Sequence, residues 1–374
     1  MKDIKSAFKK VIKSILGEKT ILFLHQTRIS ILTFLKNTYY IIAIKCYYSY
    51  LKISKTFRKQ HLNPREKPHV LFVTEKWCSC DPAMGPTNSE HNLFGSLEST
   101  GLATYERFHF DEYHLKNRRP CDFALLRLCV ESKPDLLLFT SCDYCPRWVT
   151  LGVISRKIGI PVVALWWDDI GDLAESALPF VDLNIVFHLL AMQHTHHPEK
   201  YLLMWVPQDP RIYYSPNMNR DIDISFVGAI DKTPDRRAGI DALRANGIEV
   251  YQAGGQRENP LPLEEYARVY MRSKITLSFG IGWAGIQQAK SRVFEATLCG
   301  AMLLGADNPD TNMWFEPVVD YVPFTDEADL VKKARYYLEH DTEREQIAEG
   351  GYHKAKEKYN AELFWKTVFG RVLR

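Results

Sequence analysis

Residues 290–304 read KSRVFEATLCGAMLL, and their pattern is that of one α/β unit. Ser291–Cys299 reads as a helix, Gly300 stops it, and Ala301–Leu304 follows as a short apolar strand. A strand buried on both faces, as in a parallel sheet, reads as such a run rather than as an alternation. The same texture extends in both directions. Upstream, Asp223–Val227, Glu249–Ala253 and Lys274–Phe279 are strands, separated by helices over Asp235–Asn246 and Glu264–Met271. Downstream, charged helices fill Glu327–His340, Thr342–Tyr359 and Ala361–Arg374.

A second set of alternations precedes this one. His69–Thr74, Asp135–Thr140, Pro161–Trp166 and Asp182–Phe187 are strands, with helical stretches ending at Ser99 and covering Val149–Lys157. Pro207, Pro210 and Pro216 mark the connection between the sets. Strands alternating with helices give parallel βαβ units. The expected fold is therefore α/β, with two Rossmann-like domains facing a cleft and a helical, basic N-terminal extension. The expected segments are 1–67 (basic, membrane-associating), 68–206 (first Rossmann-like half), 207–360 (second half) and 361–374 (a last helix packing back on the first half).

Length and charge agree with this division. The chain has 374 residues, enough for two domains of ordinary size, and 46% of them are hydrophobic, which excludes disorder. Net charge is only +3, but residues 1–67 carry 15 Lys/Arg against 3 acids, leaving −9 on the remainder. An acidic body argues against nucleic acid as a partner. In residues 1–16, Ile4, Phe8, Val11, Ile12 and Ile15 line one helical face with lysines opposite, and tyrosines enrich the stretch Thr20–Tyr50. Such a segment suits docking on an anionic membrane surface through residues 1–60, at roughly 1 kcal/mol per basic residue. An ordinary helix with solvated lysines is the competing reading. Lys36 and Lys45 interrupt the best spanning candidate, and no signal peptide precedes it, so a cytoplasmic protein peripheral to the inner membrane face is expected.

Asp221–Phe364 resembles the second half of a GT-B type glycosyltransferase, in the bacterial group that includes spore-maturation-type glycosyltransferases. The likeness rests on Asp223-Ile-Ser-Phe-Val-Gly228, Ser273–Leu277, the block Lys290–Leu304 and Asp341-Thr-Glu-Arg344 with Ala348–Gly351. Pro134-Asp135, Trp166-Trp167-Asp168-Asp169 and Asp182-Leu183 extend it loosely into the first half. It implies sugar transfer from a nucleotide-sugar donor to an acceptor, without a bound metal and with no cofactor. A glycan or lipid-linked acceptor, of glycolipid or surface-polysaccharide type, is suggested by the leader.

The resemblance assigns the donor to Gly228, Gln287, Lys290, Arg292 and Glu295. Lys290 and Arg292 stand at a helix start, where cations add to free N–H groups and the dipole to stabilise a diphosphate leaving group. Glu295 would hold ribose hydroxyls, and Gly228 would let backbone approach the diphosphate. Many retaining relatives carry a glutamate eight positions before the ribose-binding one. Gln287 stands there in this chain, so stereochemistry stays open. A catalytic base is expected in the first half from Asp169 or Asp168, which follow an apolar strand, with Glu90 and His91 as competitors. Capping of the next helix is the alternative for both aspartates. A nucleotide-sugar epimerase of the same fold and a membrane-tethered, non-catalytic sugar-binding or scaffold protein are the rival functions.

Other signals carry less. Cys142-x-x-Cys145 and Cys78-x-Cys80 do not complete the spacing of a zinc site, and a free-thiol reading is preferred. Asp221-x-Asp223 immediately precedes a strand, which suits a place at the start of that strand better than metal binding.

Overall fold

The computed structural model describes residues 38–52, 65–167, 172–216, 218–255, 261–281 and 287–373. The amphipathic stretch 1–16 lies outside them. Helix α1 spans residues 38–52 and belongs to a separate unit from residues 61–374. It exposes Tyr39, Ile41, Ile42 and Tyr50 and buries Ile44 and Leu51. Among the described residues, no helix is long and apolar enough to cross a membrane.

Residues 61–374 hold two parallel sheets. The first contains β1 (His69–Thr74), β2 (Thr104–His109), β3 (Leu136–Thr140), β4 (Val162–Trp166), β5 (Leu183–Val186) and β6 (Tyr201–Leu203), in the order β2-β1-β3-β4-β5-β6. The second contains β7 (Ile222–Val227), β8 (Tyr251–Ala253), β9 (Ser273–Ser278), β10 (Met302–Ala306) and β11 (Val322–Phe324), in the order β11-β10-β9-β7-β8. Both follow one plan, in which the second strand of a half flanks the first and the third pairs on its other side. Chain direction around the sheet reverses there, so each sheet has a crevice at the carboxyl ends of its first and third strands. In the first sheet that crevice lies between β1 and β3, and in the second between β7 and β9.

The helices of the first half are α2 (Ser96–Thr100, entered through a π-helical turn at Glu90–Gly95), α3 (Phe110–Asn117), α4 (Asp122–Ser132), α5 (Trp148–Val153), α6 (Asp172–Ala177) and α7 (Leu189–His194). The second half adds α8 (Pro234–Ala245), α9 (Leu263–Arg272), α10 (Ser291–Leu298), α11 (Pro309–Trp314), α12 (Glu327–Glu339) and α13 (Asp341–Lys358), and α14 (Ala361–Val372) ends the chain. The central strands are apolar because both faces are covered: β3 and β4 are buried at every position.

Among the described residues, strands β2, β6 and β11 and helices α3, α4, α6, α7 and α11 lie where the sequence pattern is silent. Strand β2 reads TYERFH and is partly exposed along its length, as an edge strand can be. It therefore lacks the apolar run that marks the central strands. Strands β6 and β11 have three residues each, too few for any period to register.

Several contacts join the halves, among them Trp205 packing against Trp314, Tyr359 and Phe364. Helix α14 returns to the first half, where Trp365 is fully buried, donates its indole N–H to Ser96 Oγ at 3.0 Å and packs edge-on against Phe72. The Leu189 N–H after β5 also donates to Asp310 Oδ1 after β10 at 3.0 Å. Since both residues follow the carboxyl ends of their strands, the carboxyl edges of the two sheets face each other at this contact.

Candidate functional site

The second-sheet crevice is built from the end of β7 outward. Phe226 is fully buried, and Val227 leads into Gly228, whose φ is +139°. A side chain is strained in that conformation, and a Cβ there would sit 2.7 Å from Arg292 Nη2. The Gly228 N–H donates to Ala253 O at 2.8 Å, which ties the end of β7 to the end of β8. Gly255 makes the other close approach: a Cβ there would meet Ala229 Cα at 2.3 Å.

Two guanidinium groups converge on this turn. Arg292, in the first turn of α10, donates from Nη2 and Nε to Val227 O at 2.8 and 3.2 Å and lies 4.7 Å from the centre of the Phe226 ring. Arg236, in the first turns of α8, donates from Nη1 to Ala229 O at 3.0 Å and lies 5.9 Å from the same ring. Burial, with Arg292 close by, pushes the Arg236 pKa down to about 10, so it remains a cation at neutral pH. Arg292 Nη1 and Arg236 Nε are buried without a hydrogen-bond partner, and among the described residues neither arginine forms an ion pair. A buried donor left unpaired costs about 1–3 kcal/mol. The pair thus forms a positive, under-satisfied surface beside the crevice.

Glu295 lies one turn beyond Arg292. The Tyr270 hydroxyl donates to its Oε2 at 2.9 Å, and Ser291 is also within hydrogen-bonding reach. Burial pushes the Glu295 carboxyl above the usual glutamate range, opposed by those bonds and by the Arg292 charge. Neither Arg292 nor Glu295 is therefore a simply solvated helix residue. Lys290 takes the position before the first turn of α10 in an extended conformation, and its side chain does not cap the helix. Gln287 is exposed and pairs with Ile281 at the neck of a loop whose residues 282–286 lie outside the described residues.

The structure brings Gly228 and Arg292 into contact and sets Glu295 and Lys290 on the same helix. Arg236 escaped the sequence reading, although it sits in the first turns of the helix after Gly228, just behind Pro234. Tyr270 escaped it too, because it reads as one more apolar position of α9.

The first half is described less completely at its expected base. Asp168 and Asp169 lie outside the described residues, immediately after β4. Glu90 pairs with Arg107 at 2.8 Å and approaches His109 at 3.9 Å, so its carboxylate is committed to the edge strand. The side chain of His91 is not among those described. Glu75, at the carboxyl end of β1, is a buried carboxylate that the sequence reading did not single out. It accepts hydrogen bonds from Thr87 at 3.1 Å and Thr140 at 2.5 Å, and burial pushes its pKa up.

Asp221 and Asp223 lie at the amino end of β7, away from the crevice, paired with Arg272 and Lys274 at 2.6 Å each. Among the described residues, no group of three or more His, Cys, Asp or Glu is placed to hold a metal ion.

Comparison with known proteins agrees with this picture. Residues 229–368 match the profile of the family described as glycosyl transferase-like. Among solved structures, the chain is similar to Anabaena HepE in complex with UDP and glucose, at 11% identity and a TM-score of 0.55, covering 81% of this chain and 99% of that one. It is similar to a glycosyltransferase from Rickettsia africae at 10% identity and a TM-score of 0.54, covering 82% and 98%. Sucrose-phosphate synthase from Thermosynechococcus elongatus matches at 12% identity and a TM-score of 0.56, covering 82% and 99%. At such identities the likeness establishes the fold, which is GT-B. No curated protein matches the chain in sequence.

Proposed function

We propose that this chain, a GT-B protein whose residues 229–368 fall in the glycosyl transferase-like family, transfers a sugar from a nucleotide-sugar donor held by its second half to an acceptor on its first. One observation carries the reading: Arg292 and Arg236 converge on the Gly228 turn, each with a buried N–H left unpaired. A diphosphate between the Gly228 turn and the first turn of α10 would accept from both groups. Lys290 adds charge as the sugar–phosphate bond breaks and negative charge grows on the leaving oxygen.

Glu295 would accept from the ribose hydroxyls with the carboxylate oxygen that Tyr270 leaves available, and Gln287 would reach the donor sugar. The positive groups supply the charge that a metal would otherwise bring, so transfer is proposed to be metal-independent. Asp169 or Asp168 is the proposed base that takes the proton of the acceptor hydroxyl. HepE was solved with UDP and glucose and with UDP-glucose, which makes a UDP-sugar the first donor to try.

For the acceptor we propose a glycan or lipid-linked precursor of glycolipid or surface polysaccharide. The basic residues 1–60 would hold the enzyme peripherally on the cytoplasmic leaflet that presents it. The segments 68–206 and 207–360 then act as acceptor and donor domains. The test is product analysis: purified full-length protein, a panel of nucleotide sugars, and extracted membrane lipids as acceptor, with and without Mg²⁺. Release of nucleoside diphosphate with glycosylated lipid supports transfer. Donor conversion without acceptor would favour an epimerase, and no turnover with any donor would favour a binding protein.

A further inference from the structure

The first-sheet crevice, between β1 and β3, contains four cysteines on three segments. The loop after β1 carries Cys80, the loop after β3 carries Cys142 and Cys145, and Cys121 precedes α4. The Cys80 thiol donates to Asp143 O at 3.0 Å and is in hydrogen-bonding contact with the Cys142 sulfur. The Cys121 thiol donates to Tyr144 O at 3.7 Å. The turn Cys142–Cys145 is thus gripped on two successive carbonyls by thiols from elsewhere in the chain.

Both loops are held in uncommon backbone conformations. Ser79 and Cys80 have φ of 54° and 58°, and Tyr144 has φ of 65°. Residues other than glycine rarely adopt this region, and they are kept there only when the surroundings fix them. The neck of the first loop is closed by the Trp77–Pro86 bridge and by the Cys78 N–H donating to Gly85 O at 2.9 Å. The second is anchored by Tyr144 stacked 4.0 Å from His114 and by the Arg147 N–H donating to Asp122 Oδ1 at 2.9 Å. Two fixed loops therefore present their sulfurs to each other, Cys80 buried and Cys142 half-buried.

We propose that Cys80 and Cys142 are a reactive dithiol that closes to a disulfide by exchange with a low-molecular-weight disulfide, tying the loop after β1 to the loop after β3. The Cys142 thiolate attacks one sulfur of the small disulfide, forming a mixed disulfide and releasing one small thiolate. Cys80 then attacks the Cys142 sulfur and expels the second. Two small thiols are formed, carrying the two protons that Cys80 and Cys142 give up, and the small disulfide is the oxidant consumed.

The order of attack follows from the surroundings. The contact with the Cys80 sulfur holds the Cys142 thiol below its ordinary pKa, while burial pushes Cys121 and Cys145 up. Cys142 is also the more accessible member of the pair, so it meets the small disulfide first.

The experiment is disulfide mapping of the reduced, full-length protein after exposure to oxidised glutathione. Free thiols are blocked with N-ethylmaleimide, the protein is digested without reductant, and fragment spectra assign the bridged residues. The expected product joins Cys80 to Cys142, disappears on treatment with dithiothreitol, and is lost in Cys142→Ser. In Cys80→Ser, Cys142 is expected to remain as its glutathione adduct. A bridge from Cys142 to Cys145 or Cys78 instead, or complete alkylation of all eight cysteines, would overturn the proposal. The wild-type map decides the matter even if either variant folds poorly.

Discussion

Arg292 reaches back from the first turn of α10 to donate two hydrogen bonds to the carbonyl of Val227, at the last position of β7. This pairing holds the helix start against the end of the strand and fixes the guanidinium over the Phe226 ring. Its Nη1 is buried without a hydrogen-bond partner. Arg292→Ala is expected to weaken donor use by about 2–4 kcal/mol, because charge-assisted bonds to phosphate are the strong kind. Steady-state kinetics with a saturating acceptor measures this as kcat/KM for the donor. Wild-type values would remove Arg292 from the donor site.

Gly228 is the counterpart of that contact. Gly228→Ala would place a methyl group 2.7 Å from Arg292 Nη2 in a backbone conformation unfavourable to alanine. We expect a loss of roughly 1–3 kcal/mol in stability, with weaker nucleotide binding in the fraction that folds. Urea denaturation and nucleotide titration of the same sample check both. An unchanged midpoint would mean that the turn relaxes without cost.

The regular part of this architecture is legible in the sequence because parallel strands buried on two faces must be apolar. Thus β1 falls on the expected His69–Thr74, and β7, β9 and β10 start or end within two residues of expectation. The edge strand β2 carries Glu106 and Arg107 and obeys no such rule, so it was invisible. The crevice was half legible. Lys290, Arg292 and Glu295 lie close together in sequence on one helix, whereas Arg236 joins them only through the fold. Tyr270 and Glu75 were hidden for a different reason: their polar atoms are satisfied by partners that are distant in sequence.

Glu295 sets a pH dependence whose sign follows from burial. Its folded-state pKa is raised above the ordinary 4.5, so the folded chain binds this proton more tightly than the unfolded chain does. Stability from this group is therefore lost as pH rises from the unfolded value through the raised folded value. Glu295→Gln, which can still accept from Tyr270, lacks that loss. Its stability relative to wild type should increase as pH rises above the ordinary glutamate pKa, as read in urea melts. A difference independent of pH would show that Glu295 is not held in a desolvating site.

Helix α14 offers a test of the union between the halves. Trp365 is fully buried against Phe72, Phe364 and Phe369, and its N–H ends on Ser96. Trp365→Ala should cost about 3–5 kcal/mol, and Ser96→Ala about 1–3 kcal/mol through the unpaired indole N–H. Thermal or chemical unfolding gives both values. A near-neutral Trp365→Ala would mean that the helix contributes little to the first half.

The central claim is that the crevice at the end of β7 holds a nucleoside diphosphate. Its most direct test is thermal unfolding of the purified protein with UDP, GDP, dTDP, ADP and CMP, with and without Mg²⁺, repeated on Glu295→Ala and Arg292→Ala. A ligand bound only by the folded state adds about 2.7 kcal/mol at a hundredfold excess over its Kd. The account predicts that one nucleoside diphosphate raises Tm without metal, and that both substitutions abolish the rise. No shift with any nucleotide, or an equal shift in the two variants, would contradict it.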